Sequence, residues 1–313
     1  MRLHLDTDLG GDIDDLQALA YLLASPEVEL TGITTAAEDA GRRAGYVWRA
    51  LELAGRRDVP VAAGIDVSSG KFRQVPTYPS DLEYWGEVIK PRPGPALEAR
   101  TLLRRSLEAG ATVVGIGPFT NLAATEQQWP GILAPAKLVL TGTTVLPPDE
   151  GLPPWGPPMD YNVQQDVAAA SLILSSSSPL LVPLGVSMHA AFRKSHLVRL
   201  RSEGKLAHLM ARQAAAFDAE WHNADRYRSA SMVPSDMINF LYDPVACAIG
   251  AGWRDRVRIE TLPVVWEIRE DQLVQRIDRR GKPLPVVTGL DGLALEAEWV
   301  RRVSSATLES VVA

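Results

Sequence analysis

The chain has 313 residues, of which 46% are hydrophobic and 22% are charged, and it carries a formal net charge of −6. That length and apolar content suffice for a complete buried core, either as one large α/β domain or as two smaller domains. The acidic balance argues against a nucleic-acid-binding protein, whose surface is usually basic, and the single cysteine, Cys247, excludes an intrachain disulfide framework and a Cys-based zinc site.

The first half of the chain alternates strand-like and helix-like segments. Short runs of β-branched and apolar residues predict strands at 2–5, 28–35, 59–64, 111–116 and 137–142. Apolar residues at helical spacing predict helices at 14–25, 40–55, 96–110 and 117–125. A Pro-, Gly- and Ser-rich stretch at 67–81 separates two of these units. Such β-α-β-α order predicts a mainly parallel sheet with helices on both faces.

The second half begins with a linker, residues 143–162, that is rich in proline and glycine. Loops of this length in a compact domain are usually functional or disordered. We then expect a helix at 165–175, a strand at 180–188, a largely helical region at 195–250, short strands within 256–288 with a turn at 280–282, and a helix at 293–303. The sequence has no internal repeat, so we predict one α/β domain over residues 1–313, built on an open, Rossmann-like, mainly parallel sheet.

No segment of the sequence approaches the roughly 20 consecutive apolar residues that a membrane-spanning helix needs. The N-terminus reads Met-Arg and then the strand-like Leu3-His4-Leu5, without a signal-peptide core. We therefore expect a soluble, cytoplasmic protein whose partner is neither a membrane nor a nucleic acid.

Half of the residues in the segment DTDLGGDIDD, residues 6–15, are aspartates. Asp6 and Asp8 lie two apart at the end of a predicted strand, so their side chains leave on the same face. Asp14 and Asp15 begin a predicted helix, where either one alone would serve as a helix cap. Five converging carboxylates repel one another unless a proton or a cation lies among them, and Ca²⁺ is a hard cation that prefers oxygen ligands. Ligands of open α/β sheets bind beyond the carboxyl ends of the strands, where this segment lies.

Three kinds of site compete for this segment. An EF-hand loop does not fit, because Gly10 occupies a required ligand position and a strand precedes the loop. An aspartate-nucleophile phosphatase also begins with Asp-x-Asp after its first strand, and Asp6 would then be the nucleophile. The third match is the most specific: a strand, Asp-Thr-Asp, a glycine loop, Asp-Asp and an Ala-Leu helix together resemble the nucleoside hydrolase family, the inosine–uridine-type N-ribohydrolases.

The resemblance continues in the family's order along nearly the whole chain. It is carried by the segments GITTAAED, VPVAAG, GPFTNLAA, MDYNVQQDVAAA, YDPVACA and PVVTGLDGLALEAEWVRRV. It implies the nucleoside hydrolase-like α/β fold and a Ca²⁺-dependent hydrolysis of the bond between ribose and base in a small-molecule ribonucleoside. We also expect a homo-oligomer, either a dimer or a tetramer.

The resemblance implies which residues bind the metal. Asp8, Asp15 and Asp243 would bind Ca²⁺ through their carboxylates, and Ile116 through its main-chain carbonyl. Asp8 would also act as the general base on the attacking water, which the cation makes more acidic. Read from the dipeptide alone, Asp243-Pro244 is also a helix start, with an N-cap followed by proline.

The resemblance also assigns the ribose hydroxyls to Asp14, Asp160 and Asn162. Asp160 and Asn162 lie two apart in a segment expected to be extended, so their side chains point to the same side. Asn162 alternatively is a turn or cap residue. By analogy with glycoside hydrolysis, the reaction would pass through an oxocarbenium-like ribosyl cation, which anionic side chains around the sugar would stabilise.

The sequence departs from the family pattern around the metal and the ribose. The loop between Asp8 and Asp14 is longer than usual, carries Leu9 where proline is common, and adds Asp12. Asp160 stands where a glutamate is usual, so its side chain is one methylene shorter.

Two further departures concern the leaving base. Tyr242 stands where many members carry a histidine as the acid for the base, and Asp39 stands where many have asparagine. The family's purine-preferring members carry an aspartate and an aromatic residue at these places, so we predict a purine-leaning hydrolase. Tyr242 would stack on the base, since a phenol is a weak acid at neutral pH, and Asp39 would make a polar contact to it. Four more aromatic residues lie in segments that would close over a base: Trp155, Trp221, Tyr84 and Trp85.

Three alternative functions stay open on the sequence. The chain could hydrolyse another N-ribosyl compound, such as a modified nucleoside or a biosynthetic intermediate. It could be the phosphatase described above, or a non-catalytic nucleoside- or sugar-binding protein. Release of ribose from a panel of nucleosides, with and without a chelator, separates these functions.

Overall fold

The computed structural model describes residues 1–66, 78–200 and 204–305. Most of the Pro-, Gly- and Ser-rich stretch 67–81 therefore lies outside the described residues. The strands are β1 (Arg2–Thr7), β2 (Glu29–Thr35), β3 (Val61–Ala63), β4 (Thr112–Gly115), β5 (Leu138–Thr141), β6 (Leu180–Val182), β7 (Ala191–Arg193), β8 (Met237–Phe240), β9 (Val257–Arg269), β10 (Gln272–Ile277) and β11 (Lys282–Leu290). The helices are α1 (Asp14–Leu23), α2 (Arg42–Leu53), α3 (Asp81–Tyr84), α4 (Ala96–Glu108), α5 (Thr120–Gln128), α6 (Tyr161–Gln165), α7 (Val167–Ser176), α8 (Leu184–Ser187), α9 (Lys194–Leu200), α10 (Lys205–Trp221), α11 (Asn223–Arg226), α12 (Tyr242–Gly250) and α13 (Gly292–Ser305), with a 3₁₀ turn at Pro157–Met159.

One large sheet organises the fold. Its strand order is β10-β9-β11-β6-β5-β4-β1-β2-β3. Every neighbouring pair from β11 to β3 is parallel, whereas β9 pairs antiparallel with both β10 and β11. The chain order reverses between β1 and β4, and this switch point leaves a crevice beyond the carboxyl ends of those two strands.

Apolar side chains leave both faces of the central strands. Val113 of β4 belongs to the cluster that α4, α5 and α7 cover, while the next residue, Val114, belongs to the cluster that contains α1, α12 and α13. Strands that are buried on both faces carry nearly continuous apolar runs, which is the pattern of the predicted segments 111–116 and 137–142. The predicted mainly parallel sheet with helices on both faces is therefore confirmed.

Three local predictions differ from the structure. The predicted strand 180–188 contains only the short β6, because Pro183 ends the strand and precedes α8. The mainly helical region 195–250 also contains β8, which pairs with β7, and a segment of four residues is too short to be assigned from its periodicity. Strand β9 is long rather than short, with 13 residues, and β10 and β11 pair with it on both sides.

No helix in the described ranges has both the length and the apolar character needed to cross a lipid bilayer.

Candidate active site

A cavity of about 690 Å³ opens at the switch point, beyond the ends of β1 and β4. It is lined by every predicted site residue except Asp39: Asp8, Asp14, Asp15, Ile116, Asp160, Asn162, Tyr242 and Asp243. These residues are spread over more than 230 positions of the sequence, and the parallel sheet brings the loops that carry them to one edge.

Three carboxylates converge at the floor of the cavity. Asp14, Asp15 and Asp243 each offer an oxygen atom, and these atoms lie within 4.8 Å of one another. Asp14 and Asp15 form the first turn of α1, and Asp243 lies in the first turn of α12, so two helix N-termini with their positive dipole ends point at the cluster. The Asp243 N–H donates to Asp14, and the Thr7 hydroxyl donates to Asp15. Asp8 lines the same cavity but is not one of the three converging residues.

Burial and mutual repulsion disfavour the ionised forms of these acids. Asp14, Asp15 and Asp243 are all less than 5% exposed, and burial together with the neighbouring carboxylates raises the pKa of each well above its ordinary value. A divalent cation that binds oxygen ligands would reverse this penalty, because it favours the ionised form of all three. The donor set, made of carboxylates with a nearby carbonyl, therefore fits a hard cation.

Asp8 lies at the end of β1, where two features fix its carboxylate. Burial raises the pKa of Asp8, and the Arg43 guanidinium, whose Nη2 lies 3.6 Å from Asp8 Oδ2, opposes this rise. Gly117 follows β4, and a Cβ built there would lie 2.9 Å from Asp8 Oδ1, so only glycine leaves room for the carboxylate.

The segment that carries Asp160 and Asn162 is held by hydrogen bonds from three directions. Asp160 caps α6, since Oδ1 accepts from Val163 N at 3.2 Å and Oδ2 accepts from Thr143 N at 2.5 Å. Asn162 Nδ2 donates to the Ile116 carbonyl at 2.9 Å, which leaves a second lone pair on that carbonyl. The expected extended segment is thus the start of a short helix, with Asp160 as its cap.

A glutamine ties this segment to the outer hairpin. The Gln164 side chain exchanges two hydrogen bonds with the backbone of Leu273 on β10, at 2.9 and 3.0 Å. The antiparallel hairpin of β9 and β10 therefore supports the wall of the cavity that carries Asp160 and Asn162, although it lies at the edge of the sheet.

Aromatic side chains form one end of the cavity. The Tyr242 ring stacks on Trp155, with ring centroids 5.8 Å apart, and Tyr227 and Phe240 pack against the same pair. Burial raises the pKa of Tyr242 well above 10, and its hydroxyl has no hydrogen-bond partner among the described residues. The phenol is therefore protonated at neutral pH.

Of the other predicted aromatic residues, Tyr84 and Trp221 line the cavity, and the Tyr84 hydroxyl donates to Glu220 at 2.7 Å. Trp85 is instead a core residue, because its ring stacks on Tyr46 with centroids 4.7 Å apart. The interpretation of Trp85 as a possible base-covering residue is thus not supported by its position.

Asp39 is separated from the cavity lining. It lies in the turn before α2, where its N–H donates to the carboxylate of the preceding Glu38 at 2.9 Å. Glu38 itself is buried and accepts from the N–H groups of Arg43 and Ala44, so it caps α2. The predicted polar contact of Asp39 with the base stays a prediction that this arrangement does not favour.

Asp6 has a structural environment. Its Oδ1 accepts from Thr34 at 2.6 Å and from Asn121 at 2.8 Å, and burial raises its pKa to about 7. Asp6 is not among the residues that line the cavity, so the geometry does not support its use as a phosphatase nucleophile.

Asp12 and Arg43 line the cavity but were not assigned a role from the sequence. Asp12 is open to the cavity, and its Oδ1 accepts from Ile13 N and from Asn239, both at 2.6 Å. Desolvation by the surrounding protein raises the pKa of Asp12 to about 6, and the nearby carboxylate of Asp8 adds to this rise. The longer loop was the available signal for Asp12, whereas no local pattern marked Arg43 as a cavity residue.

The acidic cluster has a consequence for stability that can be measured. Because the pKa values of Asp14, Asp15 and Asp243 are raised on folding, their contribution to stability is greatest at low pH and is lost as the pH rises. The buried histidines His4 and His196 have pKa values lowered to about 3 and about 4, so they change charge on unfolding only below about pH 6.5. Above about pH 6.5, the thermal midpoint of chelated protein should therefore fall as the pH rises toward the raised pKa values of these acids.

The control is the same scan with excess Ca²⁺, where the fall should be smaller because the cation binds the ionised cluster. A midpoint of chelated protein that rises from pH 7 to 9 would contradict the account of this cluster.

The chain is similar in sequence to a known family along most of its length. The model of the family described as inosine-uridine preferring nucleoside hydrolase matches residues 3–295. Among characterised relatives, the pyrimidine-specific ribonucleoside hydrolase RihA of Salmonella paratyphi A is 27% identical over 243 residues, which cover 72% of this chain and 75% of that protein.

Solved structures show the same fold. The purine-preferring ribonucleoside hydrolase from Gardnerella vaginalis superposes with a TM-score of 0.78 at 21% identity, covering 100% of both chains. The inosine-uridine preferring nucleoside hydrolase from Bacillus anthracis superposes with a TM-score of 0.69 at 19% identity, covering 97% of this chain and 99% of that chain. At such identities the likeness establishes the architecture of the chain and leaves its substrate open.

Proposed function

Because the chain belongs to the inosine-uridine preferring nucleoside hydrolase family, and is therefore an N-ribohydrolase of ribonucleosides, we propose that it cleaves purine ribonucleosides with the help of a bound Ca²⁺ ion. The observation that carries this proposal is the convergence of Asp14, Asp15 and Asp243 in a cavity that Asp8 also lines.

We assign the cation to Asp8, Asp15, Asp243 and the carbonyl of Ile116, with Asp14 close enough to share the site or to bind a ribose hydroxyl. The convergence of three buried carboxylates supports a divalent ion, and their all-oxygen chemistry supports Ca²⁺ over softer metals. Such an ion would make the attacking water more acidic and would attract the ribose hydroxyls.

Asp8 is the proposed general base. Its carboxylate lies at the cavity wall beside the cluster, within reach of a water molecule that attacks the anomeric carbon. Asp14, Asp160 and Asn162 would hold the ribose hydroxyls, and the surrounding carboxylates would stabilise the positive charge that develops on the sugar. The place of Asp160 and Asn162 in the cavity lining supports their part in this assignment.

The aromatic end of the cavity supports a purine as the leaving base. Tyr242, Trp155 and Tyr227 line this end of the cavity, and a two-ring heterocycle offers such rings more area for stacking than a one-ring base does. A pyrimidine ribonucleoside is the second candidate, because the Salmonella relative at 27% identity is named as pyrimidine-specific.

The test is ribose release from inosine, guanosine, adenosine, uridine and cytidine, measured with Ca²⁺ and with excess chelator. The proposal expects hydrolysis only in the presence of the metal, with kcat/KM for inosine or guanosine at least about tenfold above that for uridine, which corresponds to about 1.4 kcal/mol. Faster turnover of uridine would replace the purine assignment by the pyrimidine one.

Tyr242 gives a sharper prediction within this proposal. If its ring stacks on the base, Tyr242→Phe should keep most of the activity, whereas Tyr242→Ala should lower kcat/KM for inosine by about tenfold or more. Steady-state kinetics of both variants measure the difference. An equal loss in the two variants would instead assign the hydroxyl as the acid for the leaving base.

The expected homo-oligomer and cytoplasmic location stay predictions. Size-exclusion chromatography with light scattering distinguishes a monomer from the predicted dimer or tetramer.

A further inference from the structure

Arg43 is a buried cation beside the proposed general base. It is the second residue of α2, it is only 1% exposed, and it lines the cavity together with Asp8. Its Nε donates to the Ala37 carbonyl at 2.8 Å, and its Nη2 lies 3.6 Å from Asp8 Oδ2. Its Nη1 is buried and has no hydrogen-bond partner among the described residues.

Local structure does not explain an arginine at this position. A cation in the first turn of a helix is opposed by the helix dipole, and a buried guanidinium with an unused N–H group carries a desolvation cost. The Tyr78 ring covers the guanidinium at 5.2 Å and keeps it from bulk water. The carboxylate of Asp8 is the ion-pair partner of Arg43 in the described structure. Its negative charge therefore offsets part of the cost of burying the guanidinium.

The second cationic side chain of the cavity lies elsewhere. Arg226 lies over the rings of Trp221 and Tyr227, at 5.9 and 5.4 Å from their centroids, at the aromatic end. Within the described lining, Arg43 is therefore the cation that acts directly on the acidic centre.

We propose that Arg43 is the positioning residue of this centre: it holds Asp8 through Oδ2, which leaves Oδ1 for water and metal, and its charge weakens the binding of the divalent cation. The proposal rests on the proposed function, because it takes Asp8 as the base. It has an unusual consequence, since the side chain that orients the base also competes electrostatically with the ion.

Removal of the charge should therefore separate metal binding from catalysis. Two like charges a few ångströms apart repel strongly in a partly buried site, so Arg43→Met should bind Ca²⁺ about tenfold more tightly or better. The same variant should have a kcat at least about tenfold lower at saturating Ca²⁺, with KM changed less than about threefold, because Asp8 is no longer oriented. A purely structural defect would weaken the binding of Ca²⁺ rather than tighten it.

The experiment is calorimetric titration of chelated protein with Ca²⁺, followed by steady-state kinetics with inosine. Arg43→Lys keeps the charge and should bind Ca²⁺ nearly as wild type does, while losing kcat because one ammonium group cannot contact both the Ala37 carbonyl and Asp8 as the planar guanidinium does. Arg49→Met is the matched control, since Arg49 lies on the same helix, pairs with Glu52 and Glu87 outside the cavity, and should leave Ca²⁺ affinity and kcat unchanged. If Arg43→Met does not fold, Arg43→Gln replaces it as the neutral variant.

Ca²⁺ affinity that is unchanged or weaker in the folded neutral variant overturns the proposal. This result differs from failure of the proposed function, in which the wild-type protein itself would bind no Ca²⁺ and release no ribose.

Discussion

Asp8→Asn should lower kcat for ribonucleoside hydrolysis by about three orders of magnitude or more, because it removes both the proposed base and one charge from the metal site. The substitution preserves shape, so the fold should persist. The carboxylate is the group that Arg43 contacts, and an asparagine cannot accept a proton from water at neutral pH. The measurement is ribose release under single-turnover conditions at saturating Ca²⁺.

The matched control is Asp58→Asn, which changes an exposed aspartate that pairs with Arg56 on the surface. It should leave kcat within about twofold of wild type, as expected for a surface ion pair outside the cavity. A substantial residual activity in Asp8→Asn, with the metal still bound, would move the role of base to another residue.

Removal of the metal should abolish activity and lower the thermal midpoint by about 10 °C. Without a cation, Asp14, Asp15 and Asp243 must either take up protons or repel one another in a buried site, and both outcomes cost stability. Differential scanning calorimetry of chelated and reconstituted protein measures the shift. A thermal midpoint that does not change on chelation would contradict the assignment of the cluster as the metal site.

Asp243→Asn should bind Ca²⁺ about 100-fold more weakly than the wild-type protein.

Much of the fold follows from local pattern in this sequence. Short runs of β-branched and apolar residues identify β1, β2, β4 and β5, and the βαβ order then fixes a parallel sheet. The short β8 and the early end of β6 could not be predicted, because a run such as Met237–Phe240 has the same local pattern in a helix and in a strand. Its strand state depends on pairing with β7.

The site residues, like the strands, could be predicted only in part from the sequence. The family resemblance identified Asp8, Asp15 and Asp243, and the fold brings all three to one cavity although Asp243 lies far along the chain. The position of Asp39 outside the lining depends on the turn that Glu38 stabilises, which no residue pattern indicated.

Arg43 was missed for another reason. A charged residue in a helix of mixed polarity is usually exposed, and its burial beside Asp8 depends on how α2 packs on the loop after β1. Such a contact between distant segments is a property of the tertiary structure, so a local pattern does not carry it.

We propose that one divalent cation, held by the acidic cluster, enables this chain to hydrolyse ribonucleosides. Ribose release from inosine by chelated protein is measured as Ca²⁺ is added in known ratios to the chain, with bound metal counted by elemental analysis. We expect activity that is absent without metal, rises with bound Ca²⁺ and reaches its plateau at about one ion per chain. Full ribose release by protein that elemental analysis finds free of metal would contradict this proposal.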